Sequence, residues 1–387
     1  MDTPQFNLRH LRAAAAIVEA GSVSAAARTV NLTQPAVTQA INKLEAQLGM
    51  PLFVRASGGM IATAAGRILA DRAAAALQLV GSSRVTTPQL RAFLALARHG
   101  SYVEAAVATG LREPSLHRAI TDLAIGLGQS LVERRGRGIA ITRRGHVIAR
   151  RFRLAEAELG AAVAELEGLR GREVGRVAVG AMPLCRAQLL PRSIGQFHRL
   201  YPDVDVAVVE GSHAELVGPL RDGEIELMIG ALRDNLPADL VQHPLFVDRP
   251  VVLGRSGHPL AALDRPNVAD LAAFPWIVPS HDTPLRAQWE ESFRNNGVAP
   301  PRVAIECGSV IVIRQLLLQE DYLTLLSPIQ VAVELEAGLL RNIAAPPQPI
   351  ERVIGVTQRR DWRPTPLQRR FVATVEDFAR EIAEQQD

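Results

Sequence analysis

The chain has 387 residues, of which 48% are hydrophobic and 21% are charged. This balance excludes a disordered chain and suits two to four domains. The longest apolar runs are shorter than the ~18 residues that suggest a membrane span, and the first ten residues lack the pattern of a secretory signal. The only two cysteines lie far apart, which excludes a disulfide scaffold and predicts a cytoplasmic location.

The formal net charge of +3 conceals an asymmetry along the chain. Residues 1–168 hold 20 basic and 12 acidic side chains, whereas 169–387 hold 23 basic and 28 acidic, which gives +8 and −5. This division predicts a polyanion-binding region followed by a region with another role. Nearly all the cations are arginines, which bind phosphate through two hydrogen bonds, although a GC-rich genome would produce the same bias.

The basic part contains an internal repeat. Residues 10–66 align with 89–145 without a gap, at an offset of 79 residues, and 20 of the 57 positions are identical. Two copies at this spacing indicate a tandem duplication rather than a solenoid.

Each copy has the same predicted elements, in chain order three helices, a two-stranded wing and a fourth helix. In the first copy these are Leu8–Ala20, 25–30, Gln34–Leu48, the hairpin 52–63 with its turn at Gly58-Gly59, and Ala64–Val80. Pro35 falls in the first turn of the third helix, where its missing N–H costs nothing. The order predicts a winged helix-turn-helix whose third helix enters the DNA major groove.

The third helix of the first copy has a polar outer face made of Gln34, Thr38, Gln39 and Asn42. Amide side chains pair bidentately with adenine, and hydroxyl groups accept several base edges. We expect this face to read DNA, while Arg55 of the wing holds phosphate or the minor groove. The alternative is a winged domain that contacts another protein.

The second copy keeps the framework but changes the reading helix. Glu113 replaces Gln34, which would place a carboxylate near DNA phosphate. Its candidate DNA contacts are cationic side chains of the helix and the wing, namely His117, Arg118, Arg134, Arg135 and Arg137. DNA contact with a relaxed or different preference is expected; a structural or dimerising spacer is the alternative.

Residues 8–66 resemble the DNA-binding domain of the LysR-type transcriptional regulators. The matching motifs are Thr-Gln-Pro-Ala-Val-Thr, Leu-Glu-x-x-Leu-Gly and Leu-Phe-x-Arg. The resemblance implies that six residues lie at or near DNA: Thr33, Gln34, Pro35, Thr38, Gln39 and Arg55. The chain departs from the family twice, because the usual Ser-Arg pair of the reading helix is Thr38-Gln39 and because the family has a single winged domain.

The predicted boundaries follow from the repeat and its linkers. The winged domains occupy 1–66 and 85–145, and linker helices occupy 67–84 and 146–169. In the resembled family this helix pairs two subunits, so the second linker is expected to dimerise; packing within its own chain is the alternative.

Residues 170–387 alternate between strands and helices, which predicts a mostly parallel sheet. They resemble the LysR-type sensor, a type-2 periplasmic-binding-protein fold. The resemblance implies two lobes, lobe I at about 170–250 and 340–387 and lobe II at about 251–339. The predicted fold is therefore multidomain, with two tandem, mainly α-helical winged helix-turn-helix domains and a two-lobed α/β effector domain.

The resemblance places an effector in the cleft between the lobes. The implied lining residues are Met182, Pro183, Leu184, Cys185, Leu232, Arg233, Ser280, His281, Thr283 and Ser309. Helix N-termini, with Arg186, Arg233 or Arg286, would suit a carboxylate, although each arginine has a surface ion pair as its alternative. Cys307 beside the cleft is either a redox sensor or an inert thiol.

Together these features predict a sequence-specific transcriptional regulator whose effector is an organic acid or similar metabolite. The expected partners are double-stranded DNA, the effector and further copies in a homodimer or homotetramer, with RNA polymerase as another candidate and no membrane. No cofactor, metal site or enzymatic activity is expected, because the chain lacks the common catalytic motifs. The alternatives are a small-molecule-binding protein whose winged domains contact proteins, and an architectural DNA binder without an effector.

Overall fold

A computed structural model of the chain describes residues 6–56, 59–136 and 138–385. Two winged helix-turn-helix units are followed by a two-lobed α/β domain, which confirms the predicted fold class. Gly58 and Arg137, which the sequence predictions include, lie outside the described residues. Within the described ranges, no helix has both the length and the apolar character needed to cross a bilayer.

The first unit has four helices and a two-stranded wing. Its elements are α1 (Leu8–Ala20), α2 (Val23–Thr29), α3 (Gln34–Leu48), β1 (Phe53–Ala56), β2 (Gly59–Ala62) and α4 (Ala64–Val80). Helix α2 begins two residues before the predicted position because the Ser22 hydroxyl caps it, accepting from the Ala25 N–H at 3.2 Å. Gly21 and Gly49 end α1 and α3 in the left-handed conformation, with φ of 70° and 63°.

The second unit repeats this arrangement. Its elements are α5 (Thr87–His99), α6 (Tyr102–Thr109), α7 (Glu113–Leu127), β3 (Val132–Arg135), β4 (Gly138–Ile141) and α8 (Arg143–Gly168). Both wings are antiparallel hairpins, and Arg55 and Arg134 occupy equivalent positions, opposite Met60 and Ile139. The side chains of the two units form one continuous hydrophobic core.

The linker helices α4 and α8 pack against each other within the chain, in antiparallel directions. Arg72, near the middle of α4, contacts Glu158 and Glu165, whereas Leu79 at the end of α4 contacts Arg151. Helix α8 thus packs against α4 of its own chain, and its predicted role in pairing two subunits stays a prediction.

The carboxy-terminal domain contains two five-stranded sheets. Lobe I holds β5 (Gly175–Ala181), β6 (Val204–Glu210), β7 (Leu227–Ala231), β8 (Leu240–Asp248) and β14 (Arg352–Arg359), in the order β6-β5-β7-β14-β8. Lobe II holds β9 (Val251–Arg255), β10 (Trp276–Val278), β11 (Val303–Glu306), β12 (Leu323–Leu326) and β13 (Leu340–Ala344), in the order β11-β10-β12-β9-β13.

Seven helices cover these sheets within the described residues. They are α9 (Leu189–Leu200), α10 (His213–Asp222), α11 (Val268–Ala272), α12 (Pro284–Arg294), α13 (Val310–Gln319), α14 (Ala332–Glu336) and α15 (Pro366–Glu384). The chain crosses between the lobes at 249–250 and again at 345–351. The second crossing follows β13, a few residues beyond the predicted boundary near 340, because β13 pairs with β9 of lobe II.

Candidate functional site

The outer face of α3 is polar and accessible. Gln34, Pro35, Gln39 and Asn42 are exposed and Thr38 is half-buried, while Val37, Ile41 and Leu44 on the opposite face are buried. Thr33 caps the helix by accepting from the Ala36 N–H at 3.3 Å. The Gln34 amide donates to Ser24 Oγ at 2.9 Å, which ties α3 to α2. The side chains of Gln39 and Asn42 are thus presented from a rigid helix.

The wing adds a cation beside this face. Arg55 is exposed on β1, and among the described residues it has no ion-pair partner. An exposed arginine without an acidic partner is available to bind an anion such as phosphate.

The equivalent face of the second unit has different chemistry. His117 and Arg118 are exposed on α7, and the His117 ring lies 5.2 Å from that of Tyr102. Arg112 occupies the N-cap position of Thr33, and a guanidinium cannot accept a hydrogen bond. Arg134 and Arg135 are exposed on the wing strand.

Several positions that flank the reading helix have also changed. Exposed Val103 and Val107 on α6 stand where α2 carries Ser24 and Arg28. Asp122 on α7 stands where α3 carries Lys43. In the second unit, exposed α7 therefore carries carboxylates beside Arg118 along the same helix, whereas the described wing strand carries the adjacent cations Arg134 and Arg135.

A cavity of about 1500 Å³ separates the lobes of the carboxy-terminal domain. Eight of the ten predicted lining residues face it: Met182, Pro183, Leu184, Leu232, Arg233, Ser280, Thr283 and Ser309. They come from the ends of β5, β7 and β10 and from the start of α12 and α13. Cys307 also lines the cavity and is half-buried.

The other two predicted residues lie elsewhere. The loop after β5 forms one turn of 3-10 helix that directs Cys185 into the core, where its thiol donates to the Met182 and Ile229 carbonyls. Burial raises the pKa of Cys185 to about 12, so it remains a thiol. The His281 ring is turned toward Glu290 and Arg286 and is outside the cavity. These two predictions are wrong because side chains next to each other in a loop point in different directions.

Four arginines line the cavity, and three of them are paired. Arg186 binds Glu210 at 3.1 Å, Arg314 binds Glu334, and Arg352 Nε lies 2.9 Å from Asp248. Arg233 is half-buried and has no ion-pair partner within the described part of the chain. Burial, aided by the charge of Arg352, lowers the pKa of Arg233.

Sequence reasoning missed part of this lining and misplaced one cation. Arg314 comes from α13 of lobe II and Arg352 from β14 of lobe I, and only the fold brings them to one cavity, so neither carries a local sequence signal. Arg286 lies outside the cavity, where it binds Glu290 at 2.8 Å and stacks on Trp289. Arg286 and Arg186 are thus both in ion pairs, but the pair of Arg286 is buried and is not the surface ion pair of the alternative.

Helix α10 connects the cavity to the linker helices. Ser212 and His213 at its start line the cavity, whereas Asp222 at its end binds Arg150 and Arg153 of α8. The Arg150 Nε–Asp222 Oδ1 distance is 2.5 Å. Ten residues of helix span about 15 Å, which is the distance between the two contacts along this path.

Two winged helix-turn-helix units joined to a two-lobed domain with a cavity between its lobes define a ligand-responsive DNA-binding regulator of transcription. Family models agree with each part. The one described as "Bacterial regulatory helix-turn-helix protein, lysR family" matches residues 8–67 and again 87–146, and the one described as "LysR substrate binding domain" matches residues 170–380. The chain belongs to the LysR family of transcriptional regulators.

Named relatives support the assignment. The HTH-type transcriptional regulator GalR of Pseudomonas putida is 32% identical over 397 residues, which cover 99% of this chain and all of the relative. The SDS degradation transcriptional activation protein of a Pseudomonas species is 33% identical over 270 residues, covering 67% of this chain and 84% of the relative. The alignment with GalR therefore extends across both winged units.

Solved structures share the fold. Full-length LysG of Corynebacterium glutamicum, with bound effector Arg, has a TM-score of 0.55 at 20% identity, and the match covers 76% of this chain and 97% of that one. The LysR family regulator CbnR gives a TM-score of 0.54 at 18% identity, covering 75% of this chain and 98% of that one. About a quarter of this chain thus has no counterpart in either structure, a share that approximates one winged unit with its linker.

Proposed function

We propose that the chain regulates transcription in the cytoplasm by reading DNA with α3 and by binding an organic acid in the cavity. The observation that carries the DNA-reading part is the exposed polar face of α3, flanked by the unpaired Arg55. The proposed DNA contacts of the first unit are those predicted from the sequence: Thr33, Gln34, Pro35, Thr38, Gln39, Asn42 and Arg55.

The acid is proposed because, of the arginines that line the cavity, Arg233 has no acidic partner among the described residues. Arg233 is free to pair with a carboxylate, whereas the other three arginines of the cavity already have acidic partners. Ser309, Val310 and Ile311 at the start of α13 also line the cavity, and backbone N–H groups at a helix start attract anions. An acid that binds both groups would bridge the lobes, because Arg233 belongs to lobe I and α13 to lobe II.

The test is DNA binding by the full chain to its own upstream region, measured with and without a panel of small carboxylic acids. We expect specific binding whose affinity or footprint changes with one acid of the panel. The Arg233→Gln variant should bind the same DNA equally well but need at least tenfold more acid for the same change, because it loses a charge-assisted hydrogen bond of about 1.5–3 kcal/mol.

Arg380→Gln is the matched control, because its exposed side chain pairs with Asp377 and neither residue lines the cavity. It should respond to the acid as the unmodified chain does. Absence of specific binding under all conditions would contradict the regulator proposal. An unchanged acid response in Arg233→Gln would contradict only the role of that residue.

We further propose that α10 transmits the state of the cavity to α8. Asp222→Asn should retain acid binding, measured by thermal shift, and basal DNA binding, but the acid should change DNA affinity much less, because the neutral amide weakens the contacts to Arg150 and Arg153. Asp239→Asn is the control, since Asp239 binds Arg221 of the same helix at 2.7 Å without reaching α8. An equal loss of response in both variants would rule out this route.

A further inference from the structure

The two winged units are related by an approximate two-fold axis. The Leu8 N–H donates to Thr87 Oγ1 at 3.2 Å, and these two positions are separated by 79 residues, the offset of the repeat. A contact between equivalent residues is typical of an interface at a two-fold axis. The two copies therefore face each other across this axis and are not arranged as two successive, separate domains.

The linker helices repeat the same symmetry. Arg72 and Arg151 are equivalent positions, as are Leu79 and Glu158. Arg72 Nη1 donates to Glu158 at 2.9 Å, and Arg151 Nε donates to the Leu79 carbonyl at 2.8 Å. The same two positions therefore meet twice, once as 72 of the first copy with 158 of the second, and once as 79 of the first copy with 151 of the second. This is the reciprocal pattern of an isologous dimer interface.

The interface has nevertheless become asymmetric. Phe152 stands where α4 carries Ala73, and its ring packs edge-on against Phe93, 6.3 Å away, where the first unit has Ala14. Arg72 binds two carboxylates, whereas Arg151 binds backbone carbonyls. Two identical chains would place the same residues on both sides, so these differences suit a pair formed by unlike copies.

We propose that one chain is a self-contained pseudo-dimer that occupies both halves of a DNA site. This inference rests on the proposed DNA-reading function. The first unit reads bases in one half through α3, and the second unit holds the backbone of the other half chiefly through the wing residues Arg134 and Arg135. Because the units are joined in one chain, binding of the second is intramolecular and needs no further copy.

The test is hydroxyl-radical footprinting of the full chain on the shortest upstream duplex that retains full affinity. The Arg134→Ala/Arg135→Ala variant should lose protection on one flank of the site, and Thr38→Ala/Gln39→Ala on the other. Equal weakening of both flanks by each variant, or an unchanged footprint in the wing variant, would overturn the inference. Absence of any footprint with the unmodified chain would instead contradict the proposed function.

Mixing the two variants distinguishes pairing within a chain from pairing between chains. Pairs formed between chains would combine the intact first unit of one variant with the intact second unit of the other and restore the complete footprint. We expect no restoration, because each chain keeps its own pair. A restored footprint at equimolar mixing would overturn the inference.

Discussion

Replacing Thr38 and Gln39 together by alanine is expected to weaken specific DNA binding tenfold or more, whereas the same change at His117 and Arg118 should have a smaller effect. A good bidentate contact to a base discriminates by about 1–3 kcal/mol, and Gln39 is an exposed amide on the outer face of α3. Titration of a labelled operator duplex, followed by anisotropy at fixed salt, measures both variants.

The smaller effect at the second unit follows from its surroundings. Glu113 and Asp122 on α7 are exposed and place negative charge where α3 has Gln34 and Lys43, so close approach of this helix to phosphate is unfavourable. The His117 ring is also engaged, with Tyr102 at 5.2 Å and the Thr121 hydroxyl at 3.4 Å.

A duplex of unrelated sequence is the control for this comparison. The Thr38 and Gln39 substitutions remove no charge, so binding to that duplex and its dependence on salt should stay unchanged. Arg118→Ala removes a cation and should reduce the salt dependence on both duplexes if it touches phosphate. A loss of specific affinity at His117 and Arg118 that equals or exceeds the loss at Thr38 and Gln39 would contradict the assignment of α3 as the principal reader.

The reading helix was predictable from sequence because strong local signals coincide there. Thr33 supplies the cap, Pro35 fits the first turn and Gly49 adopts φ of 63° after the last turn, so α3 has the predicted bounds. Strand β8 carries no such signal. It is an edge strand of lobe I interrupted by Pro244, where its register against β14 shifts, and edge strands are where proline is tolerated.

The cavity was less predictable because its chemistry depends on distant pairs. The residues next to Arg233 in the sequence do not distinguish it from Arg186. In the structure, Arg186 binds Glu210 at 3.1 Å, whereas Arg233 has no ion-pair partner within the described residues. Arg352 pairs with Asp248, a buried carboxylate that lies more than 100 positions earlier in the sequence. Which cation remains free is decided by the packing of the two lobes.

Arg72→Ala is expected to destabilise the paired winged units strongly. Arg72 is 4% exposed, and besides binding Glu158 and Glu165 it donates to the Arg363 carbonyl at 2.9 Å, which joins the linker pair to the carboxy-terminal domain. Burial opposes its charge, but the hydrogen bonds and charges of Glu165 and Glu158 prevail and raise the pKa of Arg72. Removing the guanidinium leaves Glu165 without an ion-pair partner among the described residues, and leaves Glu158 with only the more distant Arg363 Nη1 at 3.7 Å.

Losing one partner of a buried ion pair typically costs about 3–5 kcal/mol, and urea denaturation followed by circular dichroism should detect a loss of that size. Arg67→Ala on the same helix is the matched control, because Arg67 is exposed and a surface change of this kind stays within about 0.5 kcal/mol. Arg72→Met combined with Glu158→Gln and Glu165→Gln should recover most of the loss, since no unpaired charge remains. An Arg72→Ala midpoint equal to that of Arg67→Ala would show that the ion pairs are not what holds the two linker helices together.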